Sequence, residues 1–462
     1  MFTQSNRLAK IFKYCLLPKM NRRAFLKAAV GATAFAVDAP ALLARAAEPS
    51  DQEILSDCTN RIEKHRKTSV SISLRDSSGR PLRNTPFTLE QQRHQFRFGC
   101  NLFQLGRCSN PEQEELYRRQ FAALFNYCTL PFYWASYETE RGHPDYERTD
   151  QALAWTSTAG IDCKGHPLVW DHPAGSPAWL PDDPAQIASL VIERVRDIVG
   201  RFQQRMEIWD VVNEATHLPD KANSTTMAHW GAGIGPVRYT SAPLMMARKT
   251  NPRALLLVND YRTDDAYYNL LDECRSTYTH APLYGAIGIQ SHMHDSIWPL
   301  HKVWSVCDRF SRLGRPLHFT ETTILSGKRT TPGEHWGPTN PQDEERQAEL
   351  TANFYTAVFA HPALEALTWW DFTDYHAWQG APAGWLRNDM SPKPVYSRLQ
   401  QLIKGQWWTN LQDRTNPRGH FSTRAFYGQH KLTVNRPGAP PFSQTLNLTP
   451  GRKHHFEIIA NP

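Results

Sequence analysis

Residues 207–214 read EIWDVVNE, and residues 316–321 read PLHFTE. Each stretch is a short apolar run, typical of a buried strand, and each ends in a glutamate, Glu214 or Glu321. A carboxylate just past such a run lies at the carboxyl end of the strand, where barrels of alternating strands and helices carry their functional residues. The two glutamates are therefore expected to face one cleft.

Strand-like and helix-like segments alternate from about residue 96 to residue 404. The apolar runs that read as strands are 96–99, 127–130, 161–169, 208–212, 255–258, 287–290, 317–320 and 366–370. The clearest helical pattern between them begins at Asp183-Pro184 and repeats apolar residues every three to four positions up to Phe202. Strands that alternate with helices in this way predict a closed (β/α)8 TIM barrel. An open doubly wound sheet is the alternative, although no glycine-rich phosphate loop follows an early strand.

The segments on either side of the barrel carry a different pattern. They contain short alternating stretches separated by Pro/Gly-rich turns, which indicate antiparallel strands. The predicted organisation is a leader over 1–46, an N-terminal β flank over 47–95, the barrel over 96–404 and a C-terminal β-region over 405–462. We expect the two flanks to pair into one small accessory β-region, which either binds polysaccharide or covers the barrel.

The net charge of +7 is concentrated at the amino terminus. Residues 1–46 hold eight basic residues and one acid, which leaves 44 basic and 44 acidic residues in the remainder. A neutral body argues against nucleic-acid binding, because that function requires a basic surface.

The leader has the pattern of an export signal. Residues 21–27 read NRRAFLK, a twin-arginine pattern, and a short apolar run and a small-x-small cleavage site at 44–46 follow. This predicts transport by the twin-arginine translocase to the periplasm or beyond, with Met20 as a possible true start. The apolar run is too short for a stable membrane anchor. An amphipathic amino-terminal helix is the alternative.

The cysteines and histidines give no sign of a metal or cofactor. Seven cysteines follow the leader: Cys58, Cys100, Cys108, Cys128, Cys163, Cys274 and Cys307. Their number is odd and no CxxC pair occurs, so buried free thiols are expected, with Cys100–Cys108 the one candidate bridge. Residues 292–295, HMHD, look metal-like and leave a metal-dependent hydrolase as a minor alternative, but a second ligand set is missing.

The stretches WDVVNE (209–214) and FTE (319–321) resemble the family 10 glycoside hydrolases, the xylanase-like barrels. Similar stretches follow the family's order over about residues 96–404: GHPLVW (165–170), NDY (259–261), IQSH (289–292) and SPKPVY (391–396). The resemblance implies a retaining glycosidase in which Glu214 is the general acid/base and Glu321 the nucleophile. It also implies substrate-binding roles for a further set of residues, Asn213, His166, Trp170, Gln290, His292, Trp370, Trp378 and Trp134.

Other positions depart from the family pattern. Tyr133 stands where the family has a lysine, and the family's nearby asparagine and glutamate are absent. Asp171, Pro173 and Thr323 stand where it has a histidine, a glutamine and an aspartate. The expected substrate is therefore a polysaccharide or oligosaccharide, xylan or another β-linked glycan, hydrolysed by a monomer. A non-catalytic carbohydrate-binding barrel is the alternative function.

Overall fold

The computed structural model describes residues 48–218, 224–328, 336–436 and 438–460. The predicted signal peptide, residues 1–46, lies outside these ranges. Within them, no helix has both the length and the apolar character that crossing a bilayer requires.

The elements are labelled in chain order. The strands are β1 (Lys67–Arg75), β2 (Pro86–His94), β3 (Arg97–Asn101), β4 (Tyr127–Pro131), β5 (Asp162–His166), β6 (Ile208–Asn213), β7 (Leu255–Asp260), β8 (Ala286–Met293), β9 (Leu317–Ile324), β10 (Leu364–Trp369), β11 (Asn410–Arg414), β12 (His420–Phe426), β13 (Gly428–Val434), β14 (Phe442–Leu448) and β15 (His454–Ile459). The α-helices are α1 (Asp51–Arg66), α2 (Pro111–Leu124), α3 (Trp134–Tyr137), α4 (Tyr146–Ala159), α5 (Pro184–Phe202), α6 (Thr226–Ile234), α7 (Pro236–Thr250), α8 (Asp265–Glu273), α9 (Leu300–Ser311), α10 (Pro341–Ala360) and α11 (Pro394–Gln401).

Strands β3 to β10 form a closed parallel barrel, which confirms the predicted fold. Neighbouring barrel strands follow each other in the chain, and β10 closes the ring by pairing with β3. Every apolar run predicted to be a barrel strand overlaps one of these strands. The carboxyl ends of all of them therefore meet at one rim, where Glu214 and Glu321 were expected.

Helix α5 shows how the local sequence determines where a barrel helix begins. The side chain of Asp183 accepts the backbone N–H of Gln186 at 2.8 Å, and Pro184 occupies the first turn. Its buried face contains the apolar positions that predicted it, among them Ile187, Val191, Val195, Ile198, Val199 and Phe202. The predicted helix start at Asp183-Pro184 is confirmed.

The two flanks form a β-sandwich. One sheet has the order β12–β1–β15 and the other β11–β2–β13–β14, so each sheet contains strands from both ends of the chain. Their inner faces share an apolar core in which the ring of Phe87 stacks on that of Phe421, with centroids 3.8 Å apart. The predicted accessory β-region built from both flanks is confirmed.

The amino-terminal flank also contains a helix that the sequence analysis missed. Ser50 and Glu53 form a capping box at the start of α1, and Ile54, Cys58 and Ile62 line its buried side. Their spacing of four is that of one helix face, so the flank is not β throughout.

The seven cysteines of the described ranges are free thiols. Cys100 is buried in β3 and Cys108 is partly exposed, and no bridge joins them. The expectation of buried free thiols is confirmed for six of them and is wrong for the burial of Cys108, and the candidate bridge was wrong.

Candidate active site

Glu214 follows the last residue of β6 at the rim of the barrel. Its φ of +56° lies in the left-handed region, which is uncommon for a residue with a long side chain. Its backbone N–H donates to the carbonyl oxygen of Asn259 at 2.8 Å, and a short 3-10 turn, Ala215–His217, follows. Backbone strain persists only where the surroundings hold it in place, and it is found most often at functional sites.

The carboxyl group of Glu214 accepts hydrogen bonds at both oxygens. Nε2 of Gln290 donates to Oε1 at 2.8 Å, and Nε1 of Trp170 donates to Oε2 at 3.1 Å. Burial is the main cause that raises the pKa of Glu214 to about 7, and the negative charges of Glu321 and Asp260 add to it. The hydrogen bonds from Gln290 and Trp170 oppose this shift without cancelling it. A large fraction of Glu214 is therefore protonated near neutral pH.

Glu321 is held in the opposite charge state. It lies inside β9, which runs on to Ile324, and not at the strand's end as the sequence suggested. Nδ2 of Asn259 donates to its Oε1 at 2.8 Å, and Nε2 of His292 lies 3.0 Å from its Oε2. Burial alone would raise the pKa of Glu321, but the nearby charge of His166, the hydrogen bond from His292 and the charge of that ring outweigh burial and hold the pKa below its ordinary value.

A network of side-chain amides connects the two glutamates. Oδ1 of Asn213 accepts from Nδ2 of Asn259 at 2.8 Å and lies 3.4 Å from Nε2 of Gln290. The amide nitrogens of Asn259 and Gln290 also donate to Glu321 and Glu214, respectively. Because the oxygen of Asn213 is an acceptor in this network, its Nδ2 is the group left to donate to a ligand.

A buried ion pair lies beneath this network. Nζ of Lys164 is 2.5 Å from Oδ2 of Asp210, and both side chains are fully buried. Nδ1 of His166 lies 2.9 Å from the same oxygen, and its Nε2 lies 3.7 Å from Oε1 of Glu321. Burial opposes ionisation of Asp210, but Lys164 and His166 outweigh it and lower its pKa. The ring of His166 thus lies between Asp210 and Glu321. Its predicted contact with substrate stays a prediction.

Aromatic rings line the cleft around the glutamates. Trp370 packs edge-on against His166, with ring centroids 5.4 Å apart. Trp378 is 41% exposed, and its ring centroid lies 4.6 Å from that of His292. Trp170, which donates to Glu214, stacks on His172 at 4.2 Å. Flat apolar surfaces next to a few polar groups are what sugar rings bind.

Trp134 is not part of this lining. Its side chain is 2% exposed, its Nε1 donates to Oε2 of Glu138 at 2.8 Å, and its ring packs against Trp179 and under the guanidinium of Arg194. These contacts leave no ring face open to a ligand. The structure therefore gives Trp134 a packing role in place of the predicted substrate contact.

Two of the departing positions have partners of their own. Thr323 lies 3.2 Å, through its hydroxyl, from Nδ1 of His292, so a neutral group orients that ring where the family has an aspartate. Oδ2 of Asp171 lies 2.9 Å from Nε2 of His217, and this contact raises the pKa of His217. His217 belongs to the turn after Glu214, which Asp171 therefore helps to hold.

The sequence reasoning left the supporting residues Asn259, Asp210 and Lys164 without a role. A signal was present for Asn259, since it follows an apolar run just as Glu214 does. Asp210 and Lys164 are charged residues inside buried strands, which need a partner, but only barrel closure shows that they are partners. In the described ranges, no group of three or more His, Cys, Asp or Glu side chains is placed to hold a metal ion.

Residues 90–402 match the sequence family described as Glycosyl hydrolase family 10. The chain belongs to this family. Its similarity to solved family 10 structures lies in the fold. The crystal structure of xylanase 10B from Thermotoga petrophila RKU-1 in complex with xylobiose superimposes with a TM-score of 0.57 at 22% identity, over 68% of this chain and 95% of that chain.

Three curated relatives of this family 10 chain match it over only part of their own length. Anti-sigma-I factor RsgI6 of Acetivibrio thermocellus is 26% identical over 86% of this chain and 49% of its own length. Endo-1,4-beta-xylanase 5 of Arabidopsis thaliana is 26% identical over 66% of this chain and 51% of its own. Endo-1,4-beta-xylanase B of Thermotoga neapolitana is 25% identical over 59% and 78%, respectively. The chain thus spans about half the length of the first two relatives.

Proposed function

We propose that the protein is a retaining glycoside hydrolase that cleaves β-1,4-linked polysaccharide by double displacement. The observation that carries this proposal is the hydrogen-bonded network that joins the carboxyl groups of Glu214 and Glu321 through the side-chain amides of Gln290, Asn213 and Asn259. The pKa of Glu214 is about 7, while that of Glu321 lies below its ordinary value. A retaining mechanism requires one protonated and one ionised carboxyl group at the start of the reaction.

The roles follow from these charge states. Glu321 is ionised and attacks the anomeric carbon, while Glu214 gives its proton to the leaving glycosidic oxygen. The bond between carbon and leaving oxygen breaks as a covalent glycosyl–Glu321 ester forms. Glu214, now a carboxylate, then takes a proton from the water that hydrolyses this ester. Nδ2 of Asn213 would donate to the sugar's 2-hydroxyl, an interaction that strengthens in the transition state.

We propose xylan or a related β-glycan as the substrate. Two of the relatives are named endo-1,4-beta-xylanases, and the exposed ring of Trp378 beside His292 offers a platform for a sugar. The departures at Tyr133 and Asp171 favour a sugar that differs in substituents from plain xylan.

The test is hydrolysis of an aryl β-xylobioside and of defined β-glycan oligomers. Glu321→Ala is expected to lower activity by at least about a thousandfold. Glu214→Ala is expected to keep more of its activity on substrates with activated leaving groups than on other substrates. NMR of the first product should show retention of the anomeric configuration. Glu457→Ala, an exposed residue of β15, is the control and should match wild type. Equal activity in all variants, or inversion, would contradict the proposal.

A second candidate is a carbohydrate-binding barrel without turnover. One relative, 26% identical over 86% of this chain, is named an anti-sigma-I factor and not a glycosidase, which favours a role without turnover. It predicts that calorimetry detects oligosaccharide binding to wild type while no product forms on prolonged incubation. Turnover that depends on Glu321 would exclude it.

We also propose export through the twin-arginine route and function as a monomer in the periplasm or outside the cell. The pattern NRRAFLK at 21–27, with the short apolar run and the small-x-small site at 44–46 that follow it, supports export. A fusion of residues 1–46 to a reporter that folds in the cytoplasm should reach the periplasm, and replacement of both Arg22 and Arg23 by lysine should stop it. Export that is unaffected by the two lysine substitutions would contradict the twin-arginine route. The sedimentation coefficient of the processed chain tests whether it is a monomer.

A further inference from the structure

The turn that follows Glu214 is short, and two buried aspartates hold it. Glu214 has a φ of +56° and directly precedes the turn, but its own side chain makes no capping hydrogen bond there. The backbone N–H and the hydroxyl group of Thr216 donate to the carboxyl group of Asp260, at 3.3 Å and 2.9 Å. Nε2 of His217 lies 2.9 Å from Oδ2 of Asp171. The left-handed backbone of Glu214 is therefore held from outside the turn.

The pair of His217 and Asp171 is buried and charge-assisted. His217 is 8% exposed and Asp171 is 1% exposed. The hydrogen bond to Asp171 is the main cause that raises the pKa of His217, and it outweighs burial, which acts in the opposite direction. The negative charges of Asp171, Glu214 and Asp260 add to this shift. Nε2–H of His217 therefore donates to a carboxylate, and such a bond is among the stronger contacts that can hold a turn.

Asp171 also connects other groups around Glu214. It directly follows Trp170, whose Nε1 donates to Oε2 of Glu214 at 3.1 Å. The backbone carbonyl of Asp171 accepts the hydroxyl group of Thr225 at 2.5 Å. That hydroxyl group in turn accepts the backbone N–H of Ala228 in the first turn of α6. Asp171 thus lies between the residue that bonds to the carboxyl group of Glu214 and the turn that holds its backbone.

The two carboxyl groups of the proposed reaction are held by different partners. The carboxyl group of Glu321 is held by Asn259 and His292, which lie on β7 and β8. A change in the buried pair should therefore displace Glu214 and leave Glu321 in place. In the proposed first step, Glu321 forms its bond to the anomeric carbon while the proton of Glu214 goes to the leaving oxygen. The contributions of the two glutamates can therefore be measured separately, by varying how much the leaving group needs a proton.

We propose that Asp171 and His217 are positioning residues for general acid catalysis; this inference rests on the proposed glycosidase function. Their buried hydrogen bond holds the turn after Glu214, so that the carboxyl group of Glu214 stays within reach of the leaving oxygen. Proton transfer in the transition state depends steeply on this reach, and a displacement of about 1 Å can cost about a hundredfold in rate. Position 171 is a histidine in the family pattern, so the carboxylate of this pair is a feature of this chain.

The experiment compares kcat/KM for two aryl β-xylobiosides whose leaving groups differ in basicity. Dinitrophenolate departs without a proton, whereas phenolate needs the proton of Glu214. For Asp171→Ala and His217→Ala we expect kcat/KM on the phenyl substrate to fall about tenfold to a hundredfold, a part of what a general acid contributes. On the dinitrophenyl substrate both variants should stay within about twofold of wild type. The double variant should lose no more than either single variant, because the two residues act as one pair.

Variants that keep the hydrogen bond separate positioning from folding. His217→Gln still places a donor near Asp171, so it should recover most of the activity that His217→Ala loses on the phenyl substrate. Asp171→Asn keeps the size and an acceptor, but a neutral hydrogen bond is weaker, so we expect an intermediate loss on the phenyl substrate alone. This variant carries the test if Asp171→Ala fails to fold. Asp308→Ala in α9 is the matched control, because it removes the carboxylate that lies 3.1 Å from Nε2 of His361. It should leave the ratio of the two kcat/KM values unchanged.

Two outcomes would overturn the positioning role. Equal losses on both substrates would show that the pair stabilises the site as a whole and does not act on proton transfer. The absence of any loss in Asp171→Ala would show that Glu214 keeps its place without the pair. If wild type hydrolyses neither substrate, the proposed glycosidase function itself fails. If wild type is active and the losses are equal or absent, only the positioning role fails.

Discussion

The amide nitrogen of Asn259 donates to Oε1 of Glu321 at 2.8 Å, and it also donates to Oδ1 of Asn213 at the same distance. Its backbone carbonyl accepts the N–H of Glu214. One residue near the end of β7 therefore contacts the proposed nucleophile, the proposed acid/base residue and the asparagine expected to bind the sugar. The relative positions of these groups depend on Asn259, although it forms no bond to substrate in the proposed mechanism.

Asn259→Ala is expected to lower kcat/KM on an aryl β-xylobioside by about tenfold to a hundredfold. The reason is the loss of a charge-assisted hydrogen bond to Glu321, worth about 1.5–3 kcal/mol, together with a less fixed Asn213. Asn447→Ala, at an exposed position of β14, is the control. A rate equal to that of the control would show that the amide network does not contribute to the reaction.

The pH dependence of kcat/KM should be bell-shaped with its optimum below neutrality. Glu321 must be ionised, and because its folded-state pKa lies below the ordinary value, activity is lost only at acid pH. Glu214 must be protonated, so activity falls as pH rises through its pKa of about 7. In Glu214→Ala, assayed with an activated leaving group, the alkaline limb should disappear. An unchanged alkaline limb in this variant would assign that pKa to another group.

The barrel could be predicted because each of its strands and helices is marked by residues that are close together in the sequence. Each strand is a short apolar run, and helix boundaries such as Asp183-Pro184 are marked by residues that act on their own first turn. The partners of the flanking strands could not be predicted this way. β1 pairs with both β12 and β15, and alternation of apolar residues indicates a strand without indicating its neighbour.

Part of the candidate site could also be predicted from the sequence, and part of it could not. Glu214 and Glu321 follow from their positions near strand ends, but their charge states depend on burial and on His292, which lies on another strand. Trp134 was misassigned because the sequence does not show which way the first side chain of α3 faces; in the structure its ring packs under the guanidinium of Arg194 on α5.

Lys164→Met is expected to destabilise the fold by about 3–5 kcal/mol, because it leaves Asp210 buried without its cation. The lowered folded-state pKa of Asp210 means that the ion pair stabilises at pH values above the unfolded-state pKa and that this contribution is lost as pH falls. The difference between wild type and variant should therefore shrink on acidification. Urea unfolding at several pH values measures it, with the exposed Lys431→Met of β13 as control. A difference that does not change with pH would show that packing, and not charge, is responsible.

Phe421→Ala is expected to lower the free energy of unfolding by about 3–5 kcal/mol, since it removes a buried ring that stacks on Phe87 at 3.8 Å. This pair joins β12 from the carboxy-terminal flank to β2 from the amino-terminal flank, so the sandwich core depends on both ends of the chain. Ile459→Ala, 55% exposed on β15, should cost far less and is the control. Urea unfolding followed by circular dichroism gives both values. If Phe421→Ala lowered the free energy of unfolding no more than the control does, the shared core would not be what holds the two sheets together. The sheets would then be stabilised by their contacts with the barrel.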